Sequence, residues 1–445
     1  MVFVYDMPST VEELSSLMDI QEKIDAPTQE RKPRFQLMTL FWIVLGPGLL
    51  AMIGDNDAGG VLSYVITGIQ FGIGFFIPFI LLLAPLTYTV QEMVMRLCVV
   101  TQRSFTTLIS ERFGTFWVKF SLGTLLVNNI LSLITEFIGM SAGLSMLGIP
   151  FVASDLLSLV IVIVLAIFGS YWTKERLALL LGTLNVVFLV VSFMTHPSLA
   201  KIGNAFTYWS IPAQTHTIFL WYIIATIGNA FAPWMIFFQG GAVLDKGMTV
   251  KDLRFGRLDT VTGSVSQVVI ASILIICGAA LYTPSGNVMA SLSGPLQVIH
   301  AYAKHIGIAG EDLFAFGLFN AGFLAAFTIS MSTSWTFATT LGWANSLNDK
   351  VHKAPKFYGI YIGSVILAAL IVLIPSLPLN LMAVIAQFVS AILIIPALFF
   401  LLFLARDRRL MGKYANGTLY NAWGWFILVG IAVLSVLLLY NFVRG

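Results

Sequence analysis

The residues best placed to do chemistry stand in two short runs, Gly54-Asp55-Asn56-Asp57-Ala58-Gly59-Gly60 and Ile227-Gly228-Asn229-Ala230-Phe231-Ala232-Pro233-Trp234, each flanked by apolar sequence. Carboxylates and amides gathered in this way are polar groups that an apolar stretch must pair with protein, water or a cation. If the flanks cross a lipid bilayer, each of Asp55 and Asp57 costs about 2.5–3.5 kcal/mol at mid-depth unless it faces protein, water or a cation. The glycines lower helix propensity, so the first run can unwind. In the second run Pro233 removes a helical hydrogen bond, and Asn229 adds a polar side chain at the same depth. Carbonyls freed at such breaks persist inside a membrane only where they line a cavity or bind something. A lone kink at Pro233 is readily explained by packing; two acids at one break and a second break elsewhere point together to more than packing, the pattern of a transporter's site.

The chain that must position these runs has 445 residues, 58% of them hydrophobic and only 10% charged, with a mean hydropathy of +0.91. A soluble enzyme, a disordered tail protein or a nucleic-acid binder would leave far too much apolar surface uncovered with such a composition. Cys98 and Cys277 fall in or beside apolar stretches, which argues against a disulfide framework or a cysteine metal site. A spanning helix needs roughly 20 apolar residues. Eleven stretches meet that need: 38–68, 73–97, 117–146, 154–172, 177–195, 217–243, 258–282, 312–345, 357–377, 380–405 and 421–443. The first 37 residues are polar and mixed in charge, so no cleavable signal is expected, and they read as a cytoplasmic tail.

The basic residues orient this arrangement, because cytoplasmic loops hold the excess of Lys and Arg. With the N-terminus inside, 21 of the 24 bases fall on the cytoplasmic side, and only Lys201, Lys304 and Arg444 fall outside. The C-terminus is then extracytoplasmic. Spans one to five and six to ten form two halves, each beginning with its broken helix, and an odd number of spans per half makes the repeats inverted. The expected domains are a tail (1–37), a first five-helix repeat (38–200), a second inverted repeat (201–405) and a loop with an eleventh span (406–445).

On these residues the chain resembles the natural resistance-associated macrophage protein (Nramp) family of divalent-metal transporters. Gly46-Pro47-Gly48, followed nine residues after Gly48 by Asp57-Ala58-Gly59-Gly60, resembles the family's first-helix pattern ending in Asp-Pro-Gly-Asn, with Ala58 and Gly60 departing from it. Ile227-Gly228 through Ala232-Pro233-Trp234 resembles the sixth-helix pattern ending in Met-Pro-His, of which the Ile-Gly and the Pro are kept. Thr135-Glu136-Phe137-Ile138-Gly139 looks like the third-helix Ala-Glu-Val-Ile-Gly, and Gln387 in span ten sits where the family has a polar Gln. The resemblance implies an all-α polytopic membrane protein, a LeuT-like inverted 5+5 repeat with broken helices one and six. It also implies a divalent cation as substrate and no cofactor.

The departures bear on the ion. Ala232 stands where the family has a soft thioether, and Gly60 where it has a ligating Asn, a combination that resembles the Nramp-related magnesium transporters and leaves room for a partly hydrated Mg²⁺. The family's titratable relay positions hold Leu133, Trp234 and Gln239, and all five histidines fall in loops or at span ends, so obligatory proton coupling is not expected. The ion's own gradient and the membrane potential would then drive entry.

The expected metal site is Asp57 as principal ligand with Asp55, Asn56, Asn229, the backbone carbonyl near Ala232 and Gln387, and with Glu136, Gly60 and Trp234 beside the ion path. Asn129, Ser132 and Glu136 share one helix face, and Glu136 reads equally as a packing hydrogen-bonder or an ion-path residue. Glu92 before Arg96 reads as a structural pair. The Ser/Thr cluster from Thr328 to Thr340 reads as packing, with a wet vestibule as the alternative; Asp259 reads as interfacial. No phosphate-binding loop suggests ATP-driven pumping, and no enzyme activity is expected. The expected partners are the cation and the bilayer of a plasma membrane, with no nucleic acid, and one chain suffices for transport. A proton-coupled Mn²⁺/Fe²⁺ importer, an organic-solute carrier of similar fold, and a non-transporting receptor or scaffold remain as rivals; Mn²⁺ could also share a magnesium pathway.

Overall fold

The computed structural model describes residues 46–168, 171–209, 216–283, 294–343, 351–375 and 377–444. The tail 1–37 and the start of the first expected span lie outside them. Within them the chain is helical, with no strand. Among the described residues nine helices are long and apolar enough to cross a membrane by length and composition, and Ala58–Phe71 and Phe151–Ile167 are shorter apolar helices. Over their described residues the ten later stretches fall on these helices, and the first falls on Ala58–Phe71 and the seven-residue helix Pro47–Ile53.

The first stretch is two half-helices, α1 (Pro47–Ile53) and α2 (Ala58–Phe71). Then come α3 (Phe76–Thr101), the short α4 (Phe105–Phe113) and α5 (Thr115–Ser145). After α6 (Phe151–Ile167), the fifth stretch is divided into α7 (Tyr171–Leu184) and α8 (Val187–Met194), and α9 (Leu199–Thr207) is a short connecting helix. The sixth stretch is again two pieces, α10 (His216–Ala230) and α11 (Pro233–Asp245), with Pro233 at the first turn of α11, where its missing N–H costs nothing. The remainder comprises α12 (Leu253–Ala279), α13 (Pro295–Leu341), α14 (Pro355–Val372), α15 (Leu379–Arg406), the single turn α16 (Arg408–Met411) and α17 (Thr418–Arg444). In α13 the helix bends at Gly307, whose φ of 75° is open to glycine and strained for other residues.

The outer faces are apolar: Leu156, Val160 and Val164 on α6, Val261, Val265 and Val269 on α12, and Val429, Val433 and Val436 on α17 are all exposed. Such a surface is stable against lipid and unstable in water. Inside, α5 runs along α13, α10 along α15, and α12 along α1, α2 and α3. Close packing of α2 on α12 depends on small residues: a β-carbon on Gly278 would run into the Val65 carbonyl, and one on Gly68 into that of Ile275.

Two polar clusters brace the helices. Glu92 accepts from Arg96, its partner one turn on, and also from Arg257 Nε at 3.0 Å and the Tyr420 hydroxyl at 3.0 Å, so the expected pair extends to α12 and α17. The Ser/Thr residues of α13 mostly donate to carbonyls one turn back, as with Ser334 to Ser330 and Thr336 to Ser332, in agreement with packing. Their far end is open: Trp335, Thr339 and Gly342 line a cavity of about 400 Å³ with Ser104, Thr107 and Asp245. Cys98 and Cys277 are buried and free.

Asp259 corrects an expectation. It is only 4% exposed, and its carboxylate accepts from the main-chain N–H groups of Gly46 (2.8 Å), Gly48 (2.7 Å) and Leu49 (3.1 Å). The first N–H groups of a helix have no partner within it. For α1 a carboxylate from α12 supplies one, which an isolated reading of Asp259 as an interfacial residue could not foresee.

Candidate cation site

The site forms where two half-helices end opposite two others. α1 stops at Ile53, and Gly54 caps it with its N–H on the Leu50 carbonyl at 2.9 Å. No side chain fits at Gly54, since a β-carbon would stand 2.8 Å from that carbonyl oxygen and 3.1 Å from Thr328 Oγ1. Asp57 then takes an extended conformation (φ −72°, ψ 173°) as the N-cap of α2, its Oδ1 accepting from the Gly60 N–H. α10 ends at Ala230 and α11 begins at Pro233, leaving Phe231 and Ala232 outside regular helix.

Three oxygens converge at Gly60. A β-carbon built there would lie 2.6 Å from Asn229 Oδ1, 2.9 Å from Asp57 Oδ1 and 3.0 Å from the main-chain oxygen of Asp55. Asn229 Oδ1 is buried and has no hydrogen-bond partner, while its Nδ2 donates to the Gly60 carbonyl at 3.4 Å. A buried acceptor left unpaired costs about 1–3 kcal/mol, so this oxygen is a ready ligand for a cation. Gly60 keeps the space among the three open.

Glu136 reaches the same place from α5. Its Oε2 accepts from the Ala58 N–H at 2.7 Å and its Oε1 from the Thr135 hydroxyl at 3.1 Å. Two carboxylates, from Asp57 and Glu136, therefore meet the N-terminus of α2, the end that favours negative charge. Glu136 thus lies in one cluster with Asp57 at the start of α2, and it also serves as a cap.

Gln387 on α15 arrives beside Gly59, with its Nε2 3.2 Å from where a β-carbon of Gly59 would be; that nitrogen has no partner. Asp55 and Asn56 turn toward α12. The Asp55 carboxylate accepts from Gln267 Nε2, which also donates to the Ala230 carbonyl at 3.0 Å, and Asn56 Nδ2 donates to the Gln267 carbonyl at 3.2 Å. Ala232 stands apart from these oxygens in its bonding, its carbonyl accepting from the Met235 N–H at 3.2 Å at the start of α11. Trp234 is fully buried; its carbonyl accepts from Ser332 Oγ at 2.8 Å, and its ring edge lies 3.4 Å from a β-carbon built on Gly54.

The structure thus gathers Asp55, Asn56, Asp57, Gly60, Asn229, Glu136 and Gln387 around the breaks, and sets Ala232 and Trp234 on the α11 side. Gln267 was missed by sequence reasoning. A signal existed: it stands eight residues after Asp259, on the same helix face, as a lone amide in an apolar stretch. Among the described residues no three His, Cys, Asp or Glu side chains form a metal-holding group. The ligand set on offer is carboxylate, amide and main-chain oxygen.

Comparison with known proteins follows the same lines. The model of the natural resistance-associated macrophage protein-like family matches residues 48–441. A divalent metal cation transporter MntH of Listeria monocytogenes is 23% identical over 416 residues, covering 89% of each chain. The crystal structure of a manganese transporter of Eremococcus coleocola, in complex with an aromatic bis-isothiourea substituted compound, superposes with a TM-score of 0.72 at 18% identity, covering 93% of this chain and 88% of that one. MhsT in complex with L-phenylalanine shares the fold more distantly, with a TM-score of 0.61 at 14% identity over 88% of this chain and 97% of the other.

Proposed function

Since the chain belongs to the natural resistance-associated macrophage protein-like family, we propose that it carries a divalent cation across a membrane through the site between its two broken helices. The convergence of Asn229 Oδ1, Asp57 Oδ1 and the Asp55 main-chain oxygen on the space kept by Gly60 carries this reading. Asp57 is the principal charged ligand, and Gln387 closes the site from α15. Movement of α1, α2, α10 and α11 against the other helices would open the site alternately to the two sides. The excess of Lys and Arg places the N-terminus on the cytoplasmic side.

Mn²⁺ is the ion that the comparisons favour, through the manganese transporter and the divalent metal transporters that resemble this chain. Mg²⁺ is a second reading, favoured by one observation: the site presents oxygen and no sulfur, with Ala232 where a thioether would discriminate against hard ions. Leu133, Trp234 and Gln239 are buried and do not titrate, which supports transport without obligatory proton coupling. An organic acid is disfavoured, because Asp57 and Glu136 already occupy the N-terminus of α2 with negative charge.

Uptake of Mg²⁺ and Mn²⁺ into proteoliposomes, with internal pH followed, tests the proposal against Asp57→Ala. Entry of either metal that Asp57→Ala abolishes supports divalent transport, and the metal that enters chooses the ion. Acidification in step with entry would replace the uncoupled reading by a proton-coupled one. Uptake of neither metal would overturn the proposal.

A further inference from the structure

A cavity of about 600 Å³ lies away from the two breaks, at the end of the molecule that the Lys and Arg bias makes extracytoplasmic. Its walls are the turn between α2 and α3, the chain around the start of α9, and the end of α12. Phe71, Gly72 and Ala205 are buried and make its floor, while Lys201, Tyr208 and Tyr282 are exposed and stand at its mouth. Lys201 and His196 are its basic residues. Among the described residues no Asp or Glu lines it, and Lys201 forms no ion pair. Ser198 caps α9 on the same wall, its Oγ accepting from the Lys201 N–H at 3.3 Å, and the N-terminal end of a helix adds to the preference for negative charge. A lysine facing a space without a counter-charge suits an anion.

Two features put lipid beside that anion. α9 turns Lys201, Asn204 and Tyr208 to the cavity, whereas Leu199 and Phe206, seven residues apart on its other side, are 80% and 51% exposed. Trp209 follows, also exposed, with its Nε1 donating to the Phe75 carbonyl at 3.0 Å. A short helix with an apolar outward face and with Tyr and Trp at its end belongs to a membrane interface. The second feature is the exposed stripe of α12, which runs into the cavity: Val265, Val269 and Ile276 share one helix face, and Ile276 is a wall residue. From Val265 to Ile276 is about 16 Å along the axis, close to the half-thickness of about 15 Å of a bilayer's hydrocarbon core. A basic pocket at the end of a lipid-facing apolar stripe matches an amphiphile with one phosphate and long chains.

We propose that the cavity seats the headgroup of an anionic phospholipid, its phosphate against Lys201 and one acyl chain along Val265, Val269 and Ile276. Such a lipid touches α9, α12 and the end of α2 at once. α2 is the second half of the first broken helix and packs on α12 through Gly68 and Gly278, so an occupied seat restrains its movement and makes divalent uptake depend on the lipid. The seat stands on the cavity alone; its effect on uptake rests on the divalent reading.

The test counts lipid bound to the purified protein by native mass spectrometry as phosphatidylglycerol or zwitterionic phosphatidylcholine is titrated in. The wild type should hold one phosphatidylglycerol about tenfold more tightly than phosphatidylcholine, and excess inorganic phosphate should leave it bound. Lys201→Glu, a change at an exposed side chain, should abolish the preference; Lys304→Glu, at another exposed base outside the cavity, should keep it. Ala280→Phe retains every charge and fills the cavity, so it should weaken phosphatidylglycerol binding by about tenfold. An equal preference in wild type and Lys201→Glu, its loss in both Glu variants, or its persistence in Ala280→Phe would overturn the seat. Displacement by inorganic phosphate would make the ligand a free anion and overturn the lipid. Uptake of Mn²⁺ and Mg²⁺ into phosphatidylcholine vesicles with and without phosphatidylglycerol reads the coupling: stimulation in the wild type and none in Lys201→Glu supports it, and equal stimulation in both overturns it. Uptake of neither metal beside specific phosphatidylglycerol binding would sink the divalent reading and leave the seat standing.

Discussion

Asp259 and Gln267 stand eight residues apart on one face of α12, about 12 Å along its axis, and they hold the two ends of α1: Asp259 accepts from the N–H groups at its start, and Gln267 donates to Asp55 just past its end. α1 has only seven residues, too few to be stable alone. Its position is therefore set by α12, and the geometry of the candidate cation site depends on a helix that contributes none of the three oxygens converging at Gly60.

Loss of the Asp259 cap should loosen this arrangement. Asp259→Ala leaves three N–H groups at the start of α1 without their acceptor and should destabilise the protein by about 1–3 kcal/mol. Thermal unfolding in detergent reads the change; a transition temperature equal to that of the wild type would show that water or another group replaces the carboxylate.

Gly60→Ala places a methyl group 2.6 Å from Asn229 Oδ1 and 2.9 Å from Asp57 Oδ1. It should reduce metal uptake by about tenfold to a hundredfold, the cost of displacing one or two oxygen contacts to a charge. Ala also favours helix more than Gly does, so the fold should persist. Unchanged uptake kinetics would mean that the ion binds elsewhere.

Ala232→Met would return a thioether to the α11 side of the break. Competition by Cd²⁺ against Mn²⁺ uptake should strengthen by about tenfold, a modest preference of about 1.4 kcal/mol of soft ligand for soft ion. If Cd²⁺ competes equally in both proteins, residue 232 does not face the ion and softness is set by other groups.

Glu136→Gln separates capping from ion contact. A glutamine can still accept from Ala58, but it removes a negative charge from the N-terminus of α2, an effect of about 0.3–2 kcal/mol. Reduced thermal stability with an unaltered KM for the metal would mark Glu136 as a cap. A raised KM with unaltered stability would instead place it in the ion's electrostatic field.

Much of the candidate site was legible because its signals are local. Asp55, Asp57 and the paired glycines announce a break in an apolar run, and Pro233 announces the other; a bilayer tolerates such residues only for a reason that is visible residue by residue. The grouping of Asn229 with Asp57 followed from two breaks at corresponding positions. The bonding of Asp259 had no such signal, since a carboxylate near a helix end reads as interfacial until its partners are known.

The sequence by itself determined the solvent, the apolar stretches and the two interruptions, because hydropathy and backbone propensity belong to each segment separately. Only the tertiary structure decided which side chains meet at the interruptions. Gln267 reaches Asp55 across 212 positions and Asp259 reaches Gly48 across 211. Such pairings depend on how closely α12 lies against α1 and α2, which is fixed by three-dimensional packing of small residues and by the need of every buried polar group for a partner.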